Sequence, residues 1–162
     1  MKRRQFLTLT PLLFVTGCGF QLRRSDGIPF GRIYIEAPPG GGVAQRLRSL
    51  LLAGGKVKLV SSPAEADAIL RISQDSRSKT ILSLSGAGRV TEYRLALQVS
   101  YSVLNREGGR LAETERIELV RDMTYDDTLP LAKGEEEVLL YRDMDENAAQ
   151  RIVRRLQALQ PA

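Results

Sequence analysis

The sequence predicts an α+β fold, in which a mixed sheet of about four strands carries two helices on one face as a two-layer sandwich. Residues 93–103 have apolar side chains at every odd position and, apart from Ala96, polar side chains at every even position, which is typical of a half-buried antiparallel strand. Residues 138–159 place apolar side chains at steps of three and four, which indicates an amphipathic helix. The chain has 162 residues, 43% of them hydrophobic and 27% charged, so one globular domain is expected.

The first half of the domain is predicted to contain two strands joined by a helix. Residues 32–36 are β-branched and aromatic and predict a strand, which the Pro-Gly run at 38–42 ends. Residues 43–53 have helical spacing and stop at Gly54. Residues 56–60 predict a second strand.

The second half is predicted to be a strand meander followed by a long helix. Ser62 to Glu65 has the pattern of a capping box and opens a short turn. Three long strands then follow, separated by glycine-containing turns, at residues 68–85, 93–103 and 111–123. A helix of about 27 residues starts near Leu131. We expect Asp143, Asp145 and Glu146 to lie on its solvated face.

The composition excludes most common enzyme chemistries. The chain has no histidine, which removes the usual general base, Ser-His and Cys-His pairs and nearly all zinc and copper sites. We therefore predict no catalytic residue, no metal and no cofactor. The net charge of +5 includes Lys2, Arg3 and Arg4; without them it is +2, which does not indicate nucleic-acid binding.

The amino terminus has the layout of a bacterial lipoprotein signal peptide. A basic start, residues 2–4, precedes a short apolar run at 6–15 and the small residues Thr16 and Gly17, directly before Cys18. The apolar run is about ten residues, whereas a membrane-spanning helix needs about 20. The Cys18 thiol is the nucleophile that takes a diacylglycerol, and two or three acyl chains give a stable anchor.

This pattern divides the chain into a signal peptide at 1–17, a lipid-anchored segment and linker at 18–31, and a single globular domain at 32–160. Gly19, rather than aspartate, follows the lipidated cysteine, so we expect an outer-membrane lipoprotein that faces the periplasm. The paired arginines near the start leave the export route open between the general secretory and twin-arginine pathways.

Four basic residues lie near the sheet turns, and Arg77, Arg89 and Lys133 are the candidate ligand contacts among them. Arg77 and Lys79 lie on the strand that leads to the 86–88 turn, Arg89 lies on that turn, and Lys133 opens the last helix. If these elements share one end of the domain, Arg89 and Lys133 can face one phosphorylated ligand. Lys133 must then point away from the acidic run at 135–137. The alternative is a set of unrelated solvated cations.

Two other clusters have simpler interpretations. Residues 40–42 are glycines before a helix but lack phosphate-loop spacing, so we expect a connector. The acidic residues 135–137, with Asp126 and Asp127, could bind a divalent cation. The simpler interpretation is that 135–137 lie in the first turn of the helix, where negative charges compensate the helix dipole.

Several motifs in order resemble the LptE family of LPS-assembly lipoproteins. They are Cys18-Gly-Phe-Gln-Leu-Arg at the mature start, Thr91-Glu-Tyr entering the alternating strand, and Leu131-Ala-Lys opening the last helix, with Met144 and an apolar tail at 152–156 beyond it. Their order and spacing cover nearly all of residues 18–162.

The resemblance implies an α+β sandwich without catalysis or cofactor. It implies a lipoprotein that fills the lumen of an LptD-type β-barrel in the outer membrane, supports its assembly, and binds lipopolysaccharide during export. Lys133 matches the family pattern, and Arg89 and Arg77 are the further candidate lipopolysaccharide contacts. The chain departs from the family at 85–87, where Ser-Gly-Ala replaces an early basic residue.

Two other classes of function fit the sequence. One is a structural or auxiliary lipoprotein of another envelope assembly or transport complex. The other is a lipid-tethered, carboxylate-dependent periplasmic hydrolase, which requires two acidic side chains that converge in a cleft.

We predict that the mature protein begins at a lipidated Cys18. The intact mass of protein extracted from membranes should lack residues 1–17 and carry the acyl chains. Cys18→Ala should release the protein from the membrane without unfolding the domain, because no core pattern uses this position. A mass that corresponds to an unprocessed Met1 would contradict the prediction.

Overall fold

The computed structural model describes residues 27–159, in which five strands and two α-helices follow one another along the chain. The predicted signal peptide and residues 18–26 of the predicted anchor segment lie outside the described residues. The elements are β1 Arg32–Glu36, α1 Gly42–Ala53, β2 Lys58–Leu59, a 3₁₀ turn Pro63–Glu65, β3 Ala68–Leu84, β4 Val90–Leu104, β5 Arg110–Thr124 and α2 Pro130–Ala158.

All five strands belong to one mixed sheet with the order β2-β1-β3-β4-β5. β1 is parallel to β2 and to β3, whereas β3, β4 and β5 form an antiparallel meander. The mixed α+β sheet is confirmed. The expected number of about four strands rises to five because the two residues of β2 pair with β1.

The meander is held by two tight turns. In the β3–β4 turn the Ser85 N–H donates to the Arg89 carbonyl over 2.7 Å, and in the β4–β5 turn Asn105 and Gly109 make the same bond over 2.8 Å. Gly88 and Gly108 have φ values of +76° and +84°, a conformation that side chains with a Cβ rarely adopt.

The core lies between the helices and one face of the sheet. The alternating side chains of β4 point into it as predicted, and Leu95, Leu97, Val99, Tyr101 and Val103 are buried. Both helices contribute to the same cluster, α1 with Val43, Leu47 and Leu51, and α2 with Met144, Ala148, Ile152 and Leu156. Phe30, in the segment predicted as a linker, is also buried there. Among residues 27–159, the opposite face carries one small cluster, formed by Ala66, Ile69 and Leu104.

Two expectations for the last helix are wrong. α2 begins at Pro130, so Glu135–Glu137 lie beyond its first turn, which contains no acidic residue, and they do not compensate the dipole there. Asp145 is buried rather than solvated, because it lies in the row of α2 side chains that faces the sheet. Within residues 27–159, neither helix has the length and apolar character of a membrane span.

The start of α1 packs tightly over polar side chains of the sheet and of α2. The Val43 N–H donates to Asp75 of β3 over 3.2 Å, and a Cβ on Gly42 would overlap the Asp145 carboxylate and lie 2.5 Å from the Arg77 guanidinium. A side chain at Gly41 would likewise collide with Asp75. The glycine connector therefore permits close approach of the backbone, in addition to joining β1 to α1.

We predict that Gly42→Ala destabilises the domain by about 1–3 kcal/mol, because Asp145 is held in place and the added methyl has no space. Gly134→Ala is the matched control: this helical position has no atom near a new Cβ, so the variant should gain about 0.5–1 kcal/mol. Urea unfolding of both variants checks the prediction, and wild-type stability of Gly42→Ala would contradict it.

Candidate functional site

One end of the domain brings together the β3–β4 turn (residues 85–89), the β5–α2 loop (residues 125–129) and the first two turns of α2 (residues 130–137). We call this end the tip. The Tyr125 N–H donates to the Thr91 carbonyl over 2.8 Å, which ties the loop to the start of β4. The predicted condition that the hairpin and the helix start share one end is therefore met.

Lys133 lies at the tip in the first turn of α2. Its ammonium donates to Thr124 Oγ1 over 3.2 Å and to Glu136 Oε2 over 2.8 Å, and its side chain is only 18% exposed. The expectation that Lys133 points away from the acidic run is wrong, because Glu136 lies one turn further along the same face. A ligand phosphate at this position would compete with Glu136 for the ammonium.

Arg89 is the most accessible cation of the predicted set. Its guanidinium lies 3.4 Å from the Asp127 carboxylate, and both side chains are exposed. Such surface pairs contribute little, so Arg89 can exchange Asp127 for another anion at small cost. Asp126, beside it, accepts hydrogen bonds from Thr128, which hold the pKa of the Asp126 carboxyl below its usual value.

Lys79, a basic residue of the strand that leads to the 86–88 turn, is a further cation of the tip. Its ammonium donates to Glu137 Oε2 over 2.6 Å and lies 4.2 Å from the centre of the Tyr93 ring. Tyr93 and Tyr125 meet edge to face with ring centres 5.1 Å apart. The hydrogen bond to Glu137 raises the pKa of Lys79. Strand parity places Tyr93 on the helix side, but only the β3–β4 register brings Lys79 beside it.

Large apolar side chains surround these cations. Leu131 is 84% exposed, and the other exposed members of the group are Ile81, Leu82, Leu84 and Leu129. A surface that combines ammonium and guanidinium groups with apolar side chains suits an amphiphile with anionic and apolar parts. Within the described residues, no group of three or more acidic, cysteine or histidine side chains is arranged to hold a metal.

Arg77 lies apart from the tip cations, between β3 and α2. Its guanidinium donates to Asp145 Oδ2 over 2.6 Å and lies 4.9 Å from the centre of the Tyr141 ring. The Tyr141 hydroxyl in turn donates to the Ser78 carbonyl over 2.8 Å. Arg77 therefore joins the sheet to the last helix, and its charge is already opposed by a buried carboxylate.

Asp145 is the acceptor of this pair, and its other oxygen, Oδ1, is buried without a hydrogen-bond partner among the described residues. Burial raises the pKa of the Asp145 carboxyl; the charge of Arg77 opposes the shift and the charge of Asp75 adds to it. Burial also raises the pKa of Asp75. The two carboxylates therefore share one arginine at the base of α1.

We predict that Arg77→Met destabilises the domain by about 1–3 kcal/mol at neutral pH, because it leaves Asp145 charged and unpaired. When folding raises the pKa of a carboxyl, the charged carboxylate destabilises the folded state at high pH. This destabilisation is relieved as pH falls through the pKa of the folded state toward the pKa of the unfolded chain. Without Arg77 the pKa of Asp145 rises further, so the deficit relative to wild type should shrink between pH 7.5 and pH 5.

Urea unfolding at both pH values measures this. Arg94→Met is the control, since Arg94 pairs with Asp122 on the solvated face, where the pKa of Asp122 is lowered. That variant should lose much less stability than Arg77→Met does, and equally at both pH values. A deficit of Arg77→Met that does not change with pH would contradict the prediction.

Comparison with known proteins places this architecture in a family. Residues 30–156 match the family model described as "LptE: Lipopolysaccharide-assembly". The LPS-assembly lipoprotein LptE of Yersinia enterocolitica is 30% identical over 162 residues, covering 96% of this chain and 77% of the relative. That of Photorhabdus laumondii is 28% identical, covering 95% and 86%.

Solved structures share both sequence and fold with this chain. The solution NMR structure of an uncharacterized lipoprotein B from Nitrosomonas europaea superposes with a TM-score of 0.73 at 36% identity, covering 86% of this chain and 91% of that one. The rare lipoprotein B of Shewanella oneidensis gives 0.65 at 29% identity, covering 77% and 92%. The chain thus belongs to the LptE family of lipopolysaccharide-assembly lipoproteins.

Proposed function

We propose that this protein is an outer-membrane lipoprotein that fills the lumen of an LptD-type β-barrel, assists its assembly, and binds lipopolysaccharide at the tip as the glycolipid passes to the outer leaflet. Family membership supports the part in lipopolysaccharide assembly. The residues before Cys18 support the lipid anchor and the periplasm-facing orientation.

The composition of the tip carries the proposal that lipopolysaccharide is bound directly. Arg89 and Lys133 offer cations to the phosphates of the lipid; Arg89 is paired with the exposed carboxylate of Asp127, and the Glu136 partner of Lys133 is partly exposed, so a ligand can displace either carboxylate. The exposed leucines beside them offer contact to acyl chains. Phosphate contacts of this kind are charge-assisted and stronger than neutral hydrogen bonds.

Arg77 is the weakest member of the proposed contacts. To reach a phosphate its guanidinium has to leave Asp145, which is buried and would be left without its main partner. Lys79, two residues further along the same strand face, lies closer to the tip and belongs with Arg89 and Lys133 in the proposed site.

The acidic pair at the base of α1 does not support the alternative of a carboxylate-dependent hydrolase. Asp75 and Asp145 do approach each other, but Asp75 accepts from the Val43 backbone and Asp145 from Arg77. Gly41 and Gly42 lie directly over both carboxylates. Their arrangement holds α1, β3 and α2 together, and the family is not one of enzymes.

The barrel and the alternative of another envelope complex are distinguished by co-purification. The lipidated protein, extracted from outer membranes in detergent, should bring down an LptD-type barrel in equal amount. Depletion of the protein should lower the amount of correctly assembled barrel. A different stoichiometric partner would favour the auxiliary lipoprotein of another complex.

We predict that Lys133→Asp weakens lipopolysaccharide binding roughly tenfold, and more than Lys133→Ala does, because it adds repulsion to the lost contact. Arg89→Asp should act in the same direction. Titration of lipopolysaccharide into Cys18→Ala protein at physiological salt measures the affinities. Arg110→Asp is the control, because Arg110 is an exposed, paired arginine in the β4–β5 hairpin, at the far end of the domain. Equal affinities in all variants would place the lipid elsewhere.

A further inference from the structure

The outer edge of β3 is only partly covered. β1 pairs with the first residues of this long strand, from Ala68 to Arg71. Further along, two hydrogen bonds from the helices reach the strand: Asp75 accepts the Val43 N–H, and the Ser78 carbonyl accepts the Tyr141 hydroxyl. Within residues 27–159, no strand pairs with the outer side of residues 79–84. We call these six residues the open edge.

The open edge has the composition of a strand that pairs with another strand. Its sequence is Lys-Thr-Ile-Leu-Ser-Leu, and the one charge, Lys79, is engaged by Glu137. Ile81 and Leu84 are 56% and 57% exposed, and Leu82 is also exposed. Register shifts at Ser83 interrupt the pairing with β4 there. Exposed, uncharged strand edges of this kind attract further strands.

The other long edge of the same sheet is protected. β5 has 15 residues, of which seven are charged: Arg110, Glu113, Glu115, Arg116, Glu118, Arg121 and Asp122. Charges along an edge strand are a common protection against unwanted pairing. Charges therefore protect the β5 edge against pairing with another strand, whereas the open edge of β3 at the tip lacks this protection.

The described residues begin and end far from the open edge. Gly27 lies against Lys56, and Gln157 near the end of α2 lines the same groove, at the far end of the domain. Lys79 is roughly 36 Å beyond Ala68 along β3 at about 3.3 Å per residue. The segment from Cys18 to Gly27 spans at most about 30 Å, which is shorter than the distance from Ala68 to Lys79.

A second copy of the chain is a poor occupant. Two open edges paired around a two-fold axis would join six residues from each chain, whereas stable interfaces use about 20–30 residues a side. A partner that is already bound at the tip does not need an interface of this size at the open edge. One of its own segments is then present at high effective concentration next to that edge. The proposed barrel is a partner of that kind.

We propose that the open edge of β3 receives an extended backbone segment of the barrel partner by strand addition. This inference rests on the proposed function. Strands of a closed barrel have no free edge, so the segment is a loop or a terminal stretch of the partner. Backbone hydrogen bonds hold this segment on the open edge. Apolar side chains on the two faces of the segment contact Ile81 and Leu82 of β3.

The test uses the lipidated protein in detergent, alone and in complex with the co-expressed barrel. Hydrogen–deuterium exchange of amides 79–84 should slow at least tenfold in the complex, whereas amides of β5 should not change. Ile81→Lys and Leu84→Lys should reduce the co-purified barrel severalfold with no change in thermal stability. Val120→Lys, at an exposed apolar position on β5, is the matched control and should retain the barrel.

The outcomes separate this proposal from the proposed function. If the barrel co-purifies with both lysine variants and the amides do not slow, strand addition is overturned and the barrel partnership stands. If wild type recovers no barrel, both are overturned. If the exchange of amides 79–84 slows on raising the protein concentration without the barrel, the edge pairs with a second copy and the proposal is overturned. If it slows on adding lipopolysaccharide without the barrel, the edge contacts the lipid and the proposal is likewise overturned.

Discussion

The contact between Arg77 and Asp145 determines how the helical layer sits on the sheet. Asp145 is the buried polar member of an otherwise apolar row on α2, so α2 packs against β3 only where a guanidinium meets this carboxylate. α1 then starts directly above the pair, because Gly42 has no side chain to separate the backbone from it. The ion pair and the glycine therefore join α1, α2 and β3 at one point, beside the apolar cluster.

This arrangement separates the rigid part of the domain from the part with free surface. On the core side of Arg77, β3 is covered by β1, by both helices and by the apolar cluster. Beyond it, the strand extends to the tip with its edge open. There Lys79 pairs with the half-buried Glu137, and Arg89 pairs with the exposed Asp127. Surface that a partner can cover is thus concentrated at one end, while stability comes from the middle.

Much of the fold follows from local patterns. The alternation in β4 and the three-and-four spacing in α2 each determine which face of the element points into the core, because a shift by one residue would bury polar side chains. The burial of Asp145 does not follow from local patterns in the same way, because a single acidic residue in an apolar row fits either a buried ion pair or a short exposed stretch of helix. Its partner, Arg77, is 68 residues away in the sequence. For the same reason the strand pattern could not predict the neighbours of Lys79, which depend on the register between β3 and β4.

The tyrosine pair at the tip also has an optical consequence. The chain has no tryptophan and five tyrosines, and Tyr93 and Tyr125 meet edge to face beneath the Lys79 ammonium. Tyr101 and Tyr141 are buried by the core, and Tyr34 lies on β1. Near-ultraviolet circular dichroism and intrinsic emission of the unlabelled protein therefore draw on a ring pair at the tip, so that whatever separates these rings changes the spectrum of the whole molecule.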